Sequence, residues 1–154
     1  MKSPSILFVC LGNICRSPLA DGIATHLAQK HGLNLHIDSA GTGGWHIGEA
    51  PCPGSVRVAG QNGIDISGLR GRQVCSEDFS HFDHIIALDE KNRSDLMALG
   101  CQNVRKLGEF GLGGDDVPDP YFFDGFEGFE RVYRMIETGV SNIFKELDFF
   151  SQGK

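Results

Sequence analysis

No apolar run in this chain approaches the roughly 20 residues that a helix needs to cross a bilayer, so no membrane span is expected. The N-terminal run Ile6-Leu7-Phe8-Val9 is too short for the core of a secretion signal, and it leads into Cys10 and Gly12 instead of a cleavage site. Positive charge is also scarce. Fourteen Lys and Arg stand against 20 Asp and Glu, a net charge of -6, which argues against a general nucleic-acid binder because that affinity comes from neutralising phosphates with Lys and Arg. Any phosphate chemistry here must be local. Cysteine is sparse and odd in number: Cys10, Cys15, Cys52, Cys75 and Cys101. A secreted disulfide framework is therefore not expected, and a reducing cytoplasm is the better setting. Cys10 and Cys15 are spaced C-x4-C with no Cys/His pair following at zinc-finger spacing, so a structural zinc site is not expected either.

What is present is an ordinary globular composition, 40% hydrophobic and 22% charged, enough for one core in a single domain over residues 1–154. Residues 5–9 form a continuous apolar run ending at a glycine-containing loop, the pattern of a strand buried on both faces of a parallel sheet. Ser17-Pro18 then supplies an N-cap and a proline at the first helical position, and Leu19, Ile23 and Leu27 recur every four residues until Lys30-His31-Gly32 closes the helix. Further strands are expected over 35–38, 84–88 and 103–107, and helices over 54–62 and 90–99. Ser39 to Pro53 is a Gly/Pro-rich loop holding the single tryptophan, Trp45, and residues 108–125 carry too much Gly, Asp and Pro for regular structure. The last helix, roughly 126–149, puts Phe129, Tyr133, Ile136, Val140, Ile143, Phe144 and Leu147 on one stripe. Strands and helices alternating in this way imply an α/β fold, a parallel sheet covered by helices on both faces, with ligands beyond the carboxyl ends of the strands.

The loop that starts at Cys10 lies at such an end. Cys10-Leu11-Gly12-Asn13-Ile14-Cys15-Arg16-Ser17 is a C-x5-R-S element between a strand and a helix N-terminus, where unpaired N–H groups and the positive end of the helix dipole favour an anion. Gly12 and Asn13 tolerate positive φ, which lets successive amides converge on one centre. Arg16 adds a planar bidentate donor for two phosphate oxygens. The same field favours a thiolate at Cys10. A nucleophile attacking phosphorus leaves an oxyanion that needs a proton, and Asp115, Asp116, Asp119 and Asp124 all lie in the later Gly/Asp/Pro segment. The sequence does not choose among them by type. Asp119 alone is braced between prolines, Pro118 and Pro120, which stiffens its backbone.

CLGNICRSP resembles the phosphate-binding loop of the low-molecular-weight protein tyrosine phosphatases. The resemblance continues through Asp38-Ser39-Ala40-Gly41-Thr42, Trp45-His46-Ile47-Gly48, Arg72-Gln73 and Asp119-Pro120-Tyr121, and so spans about residues 5–148. It implies a three-layer, four-stranded parallel sheet of the flavodoxin-like (phosphotyrosine phosphatase I-like) kind, and hydrolysis of phosphotyrosine in proteins, and of small aryl phosphates, through a phosphocysteine, with no metal or cofactor. Inorganic phosphate would be product and inhibitor. It implies Cys10 as nucleophile, Arg16 as phosphate binder, Ser17 supporting the thiolate and Asp119 as general acid and base. Leu11, Gly12, Asn13, Ile14 and Cys15 complete the loop, Asn13 and Ser39 orient it, and Trp45 and Tyr121 form walls for a planar ring. His46 beside Trp45 is read as a surface residue. Cys15 is either a small packed side chain or, as the resemblance favours, the partner in a reversible disulfide with Cys10; Cys52, Cys75 and Cys101 are read as structural.

Two departures stand out. Phe122 follows Tyr121 where many members carry a second tyrosine, leaving Tyr121 as the position open to phosphorylation. Residues 67–70, Ser-Gly-Leu-Arg, lack the histidine that some members use to orient the loop asparagine. Two alternatives share the C-x5-R loop. A thiol-dependent arsenate reductase would need a further close cysteine pair, and Cys75 and Cys101 are far apart in sequence. A non-catalytic phosphate or phosphotyrosine sensor would need neither Cys10 nor Asp119.

Overall fold

The computed structural model describes residues 3–153. Four strands, β1 (Ser5–Cys10), β2 (His36–Gly41), β3 (His84–Ala87) and β4 (Val104–Lys106), form one parallel sheet in the order β2-β1-β3-β4. The helices are α1 (Ser17–Lys30), α2 (Pro53–Gln61), α3 (Ser76–His81), α4 (Glu90–Ala98) and α5 (Glu127–Glu146), with 3-10 turns at Leu107–Glu109, Pro120–Phe122 and Phe149–Gly153. No described helix is long and apolar enough to cross a membrane.

β1 is buried along its whole length because it is central and alternate side chains enter different cores. Ile6, Phe8 and Cys10 join Leu19 and Ile23 of α1 and Val132, Ile136, Val140 and Phe144 of α5. Leu7 and Val9 join Ile85, Ala87, Phe82 and Leu96 on the other face. Each fully buried Leu, Ile or Phe contributes about 1.5–3 kcal/mol, so the two-sided burial of β1 fixes its register and the position of its last residue, Cys10.

The sequence expectation holds for all four strands and for α1, α2, α4 and α5. Three details differ. β2 continues past Asp38 to Gly41, since its pairing with β1 runs on to Cys10↔Gly41 and its small residues are what that close approach requires. A Cβ at Gly41 would lie 2.7 Å from the Leu11 carbonyl oxygen and 3.1 Å from the Asn13 nitrogen. The short polar helix α3 has no hydrophobic period to announce it; it is held by Asp78, which accepts from the Cys75 N–H at 2.9 Å. α5 stops at Glu146, and Phe149 enters the core from a separate turn.

One carboxyl sits inside this frame. Asp21 on α1 is 6% exposed and accepts from Ser39 Oγ (3.1 Å) and Thr25 Oγ1 (3.3 Å). Burial raises it from 3.8 to about 6, with the charge of Asp38 adding and the two hydroxyls opposing. The folded chain therefore holds this proton more tightly than the unfolded one, and stability is lost as pH rises between those two values. The cost, about 3 kcal/mol, is fully present above about pH 6. Asp21→Asn is expected to gain stability over wild type as pH rises from about 4.5 to about 7, measured by urea unfolding. Parallel stability curves for the two proteins would contradict it.

Candidate active site

The loop from Cys10 to Arg16 is pinned at its start by β1 and at its end by α1. Asn13 takes φ 57°, the left-handed turn that folds the loop back over Cys10. Cys10 Sγ then accepts from the N–H groups of Asn13 (3.3 Å) and Ser17 (3.5 Å) and lies 3.0 Å from Ser17 Oγ. Asn13 Nδ2 donates to Ser17 Oγ at 2.8 Å, which leaves the serine's own proton for an acceptor, the nearer being Cys10 Sγ at 3.0 Å and the farther the Ala40 carbonyl at 3.5 Å. Two backbone N–H groups and a hydroxyl thus converge on Sγ. The sequence places the N-cap of α1 at Ser17; the structure places it at Arg16, and the Ser17 hydroxyl serves the thiol instead of a helix N–H. The first turn of α1 carries no acidic residue, and the N–H groups of Gly12, Ile14, Cys15 and Arg16 find no protein acceptor among the described residues. That leaves a set of donors and a dipole end for an anion.

Arg16 is buried and already oriented. Its Nη1 donates to Asp89 Oδ2 (2.6 Å) and to the Val117 carbonyl (2.9 Å). Asp89 was not singled out in the sequence, although an acid at the N-cap of α4, just past the end of central strand β3, is the signal for it. Its other oxygen caps α4 by accepting from Asn92 N at 2.7 Å. Val117 in turn donates to the Leu88 carbonyl at 3.0 Å, which anchors the loop carrying Asp119 two residues before that aspartate.

A cavity of about 160 Å³ is lined by Cys10, Leu11, Gly12, Ile14, Cys15, Arg16, Trp45, His46, Asp119 and Tyr121. Larger grooves of about 470 and 680 Å³ lie elsewhere and contain neither Cys10 nor Arg16. Of the four candidate aspartates, Asp119 is the one at this cavity. Asp116 is engaged with Lys106 Nζ (2.9 Å) and the Glu90 N–H (3.0 Å). Asp119 Oδ1 accepts from Tyr121 N at 2.9 Å, which sets the turn that presents Tyr121. Trp45 and Tyr121 are 71% and 63% exposed at the mouth; Trp45 lies over Gly43 and Tyr121 stands edge-on to Phe129. His46 lines the cavity against Gly12 and pairs with Glu49 at 2.9 Å, so it is more than the surface residue expected.

Two further expectations are corrected. Ser39, expected with Asn13 to orient the loop, has its hydroxyl donating to Asp21 and not to a loop residue, while Asn13 Oδ1 accepts from the Arg72 N–H at 2.9 Å. Cys15 is bonded to Cys52 and not to Cys10, which is a free buried thiol. The reason is local: the Cys52 N–H donates to the Ile14 carbonyl (2.7 Å) and Ser55 Oγ to the Cys15 carbonyl (2.8 Å), so the start of α2 is held against Cys15 from both sides. Cys75 and Cys101 are free thiols, and no cluster of three or more metal-ligating side chains occurs among the described residues.

A doubly wound sheet that ends in a thiol, a cradle of amides and a fixed arginine defines a phosphate-handling α/β protein. Residues 5–151 match the family model for low molecular weight phosphotyrosine protein phosphatases, and the chain belongs to that family of hydrolases. It is 42% identical over 151 residues to the low molecular weight protein-tyrosine-phosphatase YfkJ of Bacillus subtilis, covering 93% of this chain and 95% of that protein. The crystal structure of YfkJ superposes with a TM-score of 0.88, covering 96% of each chain at 39% identity. A protein tyrosine phosphatase from Entamoeba histolytica gives a TM-score of 0.88 at 35% identity over 95% and 97% of the chains. The Drosophila arginine phosphatase DARP gives 0.85 at 30% identity over 92% and 96%.

The Cys15–Cys52 bond closes a segment with a sequence separation of 37. A loop of that size is expected to stabilise the fold by about 2–4 kcal/mol. Cys52→Ser, or full reduction of the wild type, should lower the unfolding free energy by that amount in thermal or urea melts. An unchanged melt would mean that the two hydrogen bonds alone hold α2 in place.

Proposed function

We propose that this chain hydrolyses phosphotyrosine in proteins, and small aryl phosphates, in two steps. Cys10 Sγ attacks phosphorus in line while Arg16 and the loop amides hold the equatorial oxygens. The bond from phosphorus to the phenolic oxygen breaks, and Asp119 gives that oxygen its proton. A water molecule then attacks the phosphocysteine, Asp119 takes the proton, inorganic phosphate leaves and the thiolate is restored. The observation that carries this reading is the convergence of Cys10, Arg16 and Asp119 on one small cavity with Trp45 and Tyr121 at its mouth.

The apolar walls Leu11, Ile14, Trp45 and Tyr121 suit an aryl ring. A phosphoarginine would bring several guanidinium N–H donors, and Asp119 is the single carboxylate in the lining. Asp119, a carboxyl at the cavity able to protonate a leaving oxygen, favours ester hydrolysis over arsenate reduction. The free Cys10 thiol suits a reducing compartment such as the cytoplasm.

Cys10→Ser is expected to abolish hydrolysis of an aryl phosphate, and Asp119→Ala to lower kcat by about 10²–10⁴-fold. Because attack needs a thiolate and departure needs a protonated Asp119, the wild-type rate should follow a bell; a rate still climbing at about pH 9 would contradict this. Full activity of Cys10→Ser would end the proposed mechanism. A phosphoarginine peptide turned over faster than its phosphotyrosine counterpart would overturn the substrate class.

A further inference from the structure

The orientation of the Asn13 side chain decides where the Ser17 proton goes. With Nδ2 facing Ser17 Oγ at 2.8 Å, the hydroxyl accepts there and keeps its proton for Cys10 Sγ at 3.0 Å or the more distant Ala40 carbonyl at 3.5 Å. Were the amide turned over, Oδ1 would take that proton and Cys10 would lose a donor. Asn13 is 2% exposed, so water does not hold it in place. The contact that selects one orientation is the Arg72 N–H, which donates to Asn13 Oδ1 at 2.9 Å and could not donate to an amide nitrogen.

Residue 72 is itself clamped. Its carbonyl accepts from Gly41 N at 2.9 Å, at the end of β2. Its guanidinium spans two elements: Nε donates to Asp38 Oδ2 on β2 (3.1 Å), while Nη1 and Nη2 grip both oxygens of Asp78 on α3 (3.0 and 3.1 Å). Burial works against the charge of Asp78, yet the Arg72 guanidinium and the Cys75 N–H outweigh it and hold that carboxyl below its usual range. A bidentate Arg–carboxylate pair with a second carboxylate on Nε fixes the backbone of its own residue better than a single surface pair does.

We infer that Arg72, held by Asp38 and Asp78, is a positioning residue for the reaction: its backbone N–H locks the Asn13 amide and thereby keeps the Ser17 hydroxyl donating to Cys10. This rests on Cys10 being the nucleophile. Arg72 touches neither the cavity lining nor the phosphate donors, so its removal should act on the thiol and spare phosphate binding.

Arg72→Ala is expected to lower kcat for an aryl phosphate about five- to tenfold, the effect of weakening one hydrogen bond to a charged group, with KM changed by less than about twofold. The rate of Cys10 alkylation by iodoacetamide at about pH 6, followed by mass spectrometry of the Cys10 peptide, should fall in parallel. Arg72→Lys, which retains one ion pair, should restore part of both. The double variant Asn13→Ala/Arg72→Ala should be no slower than Asn13→Ala alone. Unchanged alkylation in folded Arg72→Ala, or losses that multiply with those of Asn13→Ala, would overturn the inference. If Arg72→Ala does not fold, Asp78→Asn tests the same clamp and should shift both readouts in the same direction; an unshifted alkylation rate there is equally fatal. Alkylation is read without turnover, so activity surviving in Cys10→Ser would refute the nucleophile assignment separately from the role of Arg72.

Discussion

The ion pair between Arg16 and Asp89 holds together the parts on which the site depends. Through one nitrogen, Arg16 joins the loop after β1, the N-cap of α4 after β3 and the Val117 carbonyl of the segment leading to Asp119. Burying such a pair costs desolvation that the attraction alone does not always repay. Here the second oxygen of Asp89 is satisfied by the Asn92 N–H, and the Val117 carbonyl takes a further donor. Three elements distant in sequence are thereby set relative to one another before any anion arrives. The remaining donors of the guanidinium stay available to two phosphate oxygens without a search for conformation.

The sheet was legible in the sequence because its central strand is buried on both sides, and a run such as Ile6-Leu7-Phe8-Val9 admits few alternatives. The loop was legible for a related reason: its residue types, Gly12, Asn13 and Arg16, are each demanded by backbone geometry or by anion chemistry within eight positions. Prolines on both sides of Asp119 carried enough local information to distinguish it from Asp115, Asp116 and Asp124, and the Lys106 contact of Asp116 supplies the physical complement. What the sequence did not yield were partners chosen by tertiary approach. Asp89 and Asp78 look like ordinary solvated or capping charges, and Arg72, quoted only as part of the Arg72-Gln73 signature, has no role of its own until the sheet brings β2, β3 and α3 up to the loop. The same holds for Cys52, whose proximity to Cys15 follows from hydrogen bonds between α2 and the loop and not from any spacing rule. Ser39 illustrates the opposite error: it was expected to orient the loop, whereas β2 turns its hydroxyl towards Asp21.

The asparagine network also shows how one departure from a family pattern is absorbed. Residues 67–70 contain no histidine, but Asn13 needs only one donor on Oδ1 to settle its orientation, and a backbone N–H supplies it. A backbone donor cannot titrate, so this orientation does not change with the protonation of a ring in the way a histidine contact would. Its weakness is that a backbone group is only as well placed as the residue that carries it, which is why the side chain of Arg72 is tied to two carboxylates.

A chain with a net charge of -6 holds an anion site because the relevant field is local. At physiological salt, exposed charges separated by more than about 8–10 Å are largely screened from one another, so the surplus of surface carboxylates contributes little at the bottom of a small cavity. Asp89, paired with Arg16 at 2.6 Å, offsets part of its charge, so the arginine is not the sole source of attraction for a phosphate dianion. The balance falls to the unpaired amides between Gly12 and Arg16 and to the N-terminal end of α1, whose first turn carries no carboxylate to compete. The strength of the site therefore depends on the shape of the loop more than on its formal charge. The shape depends in turn on Asn13 holding a left-handed turn that few residue types accept.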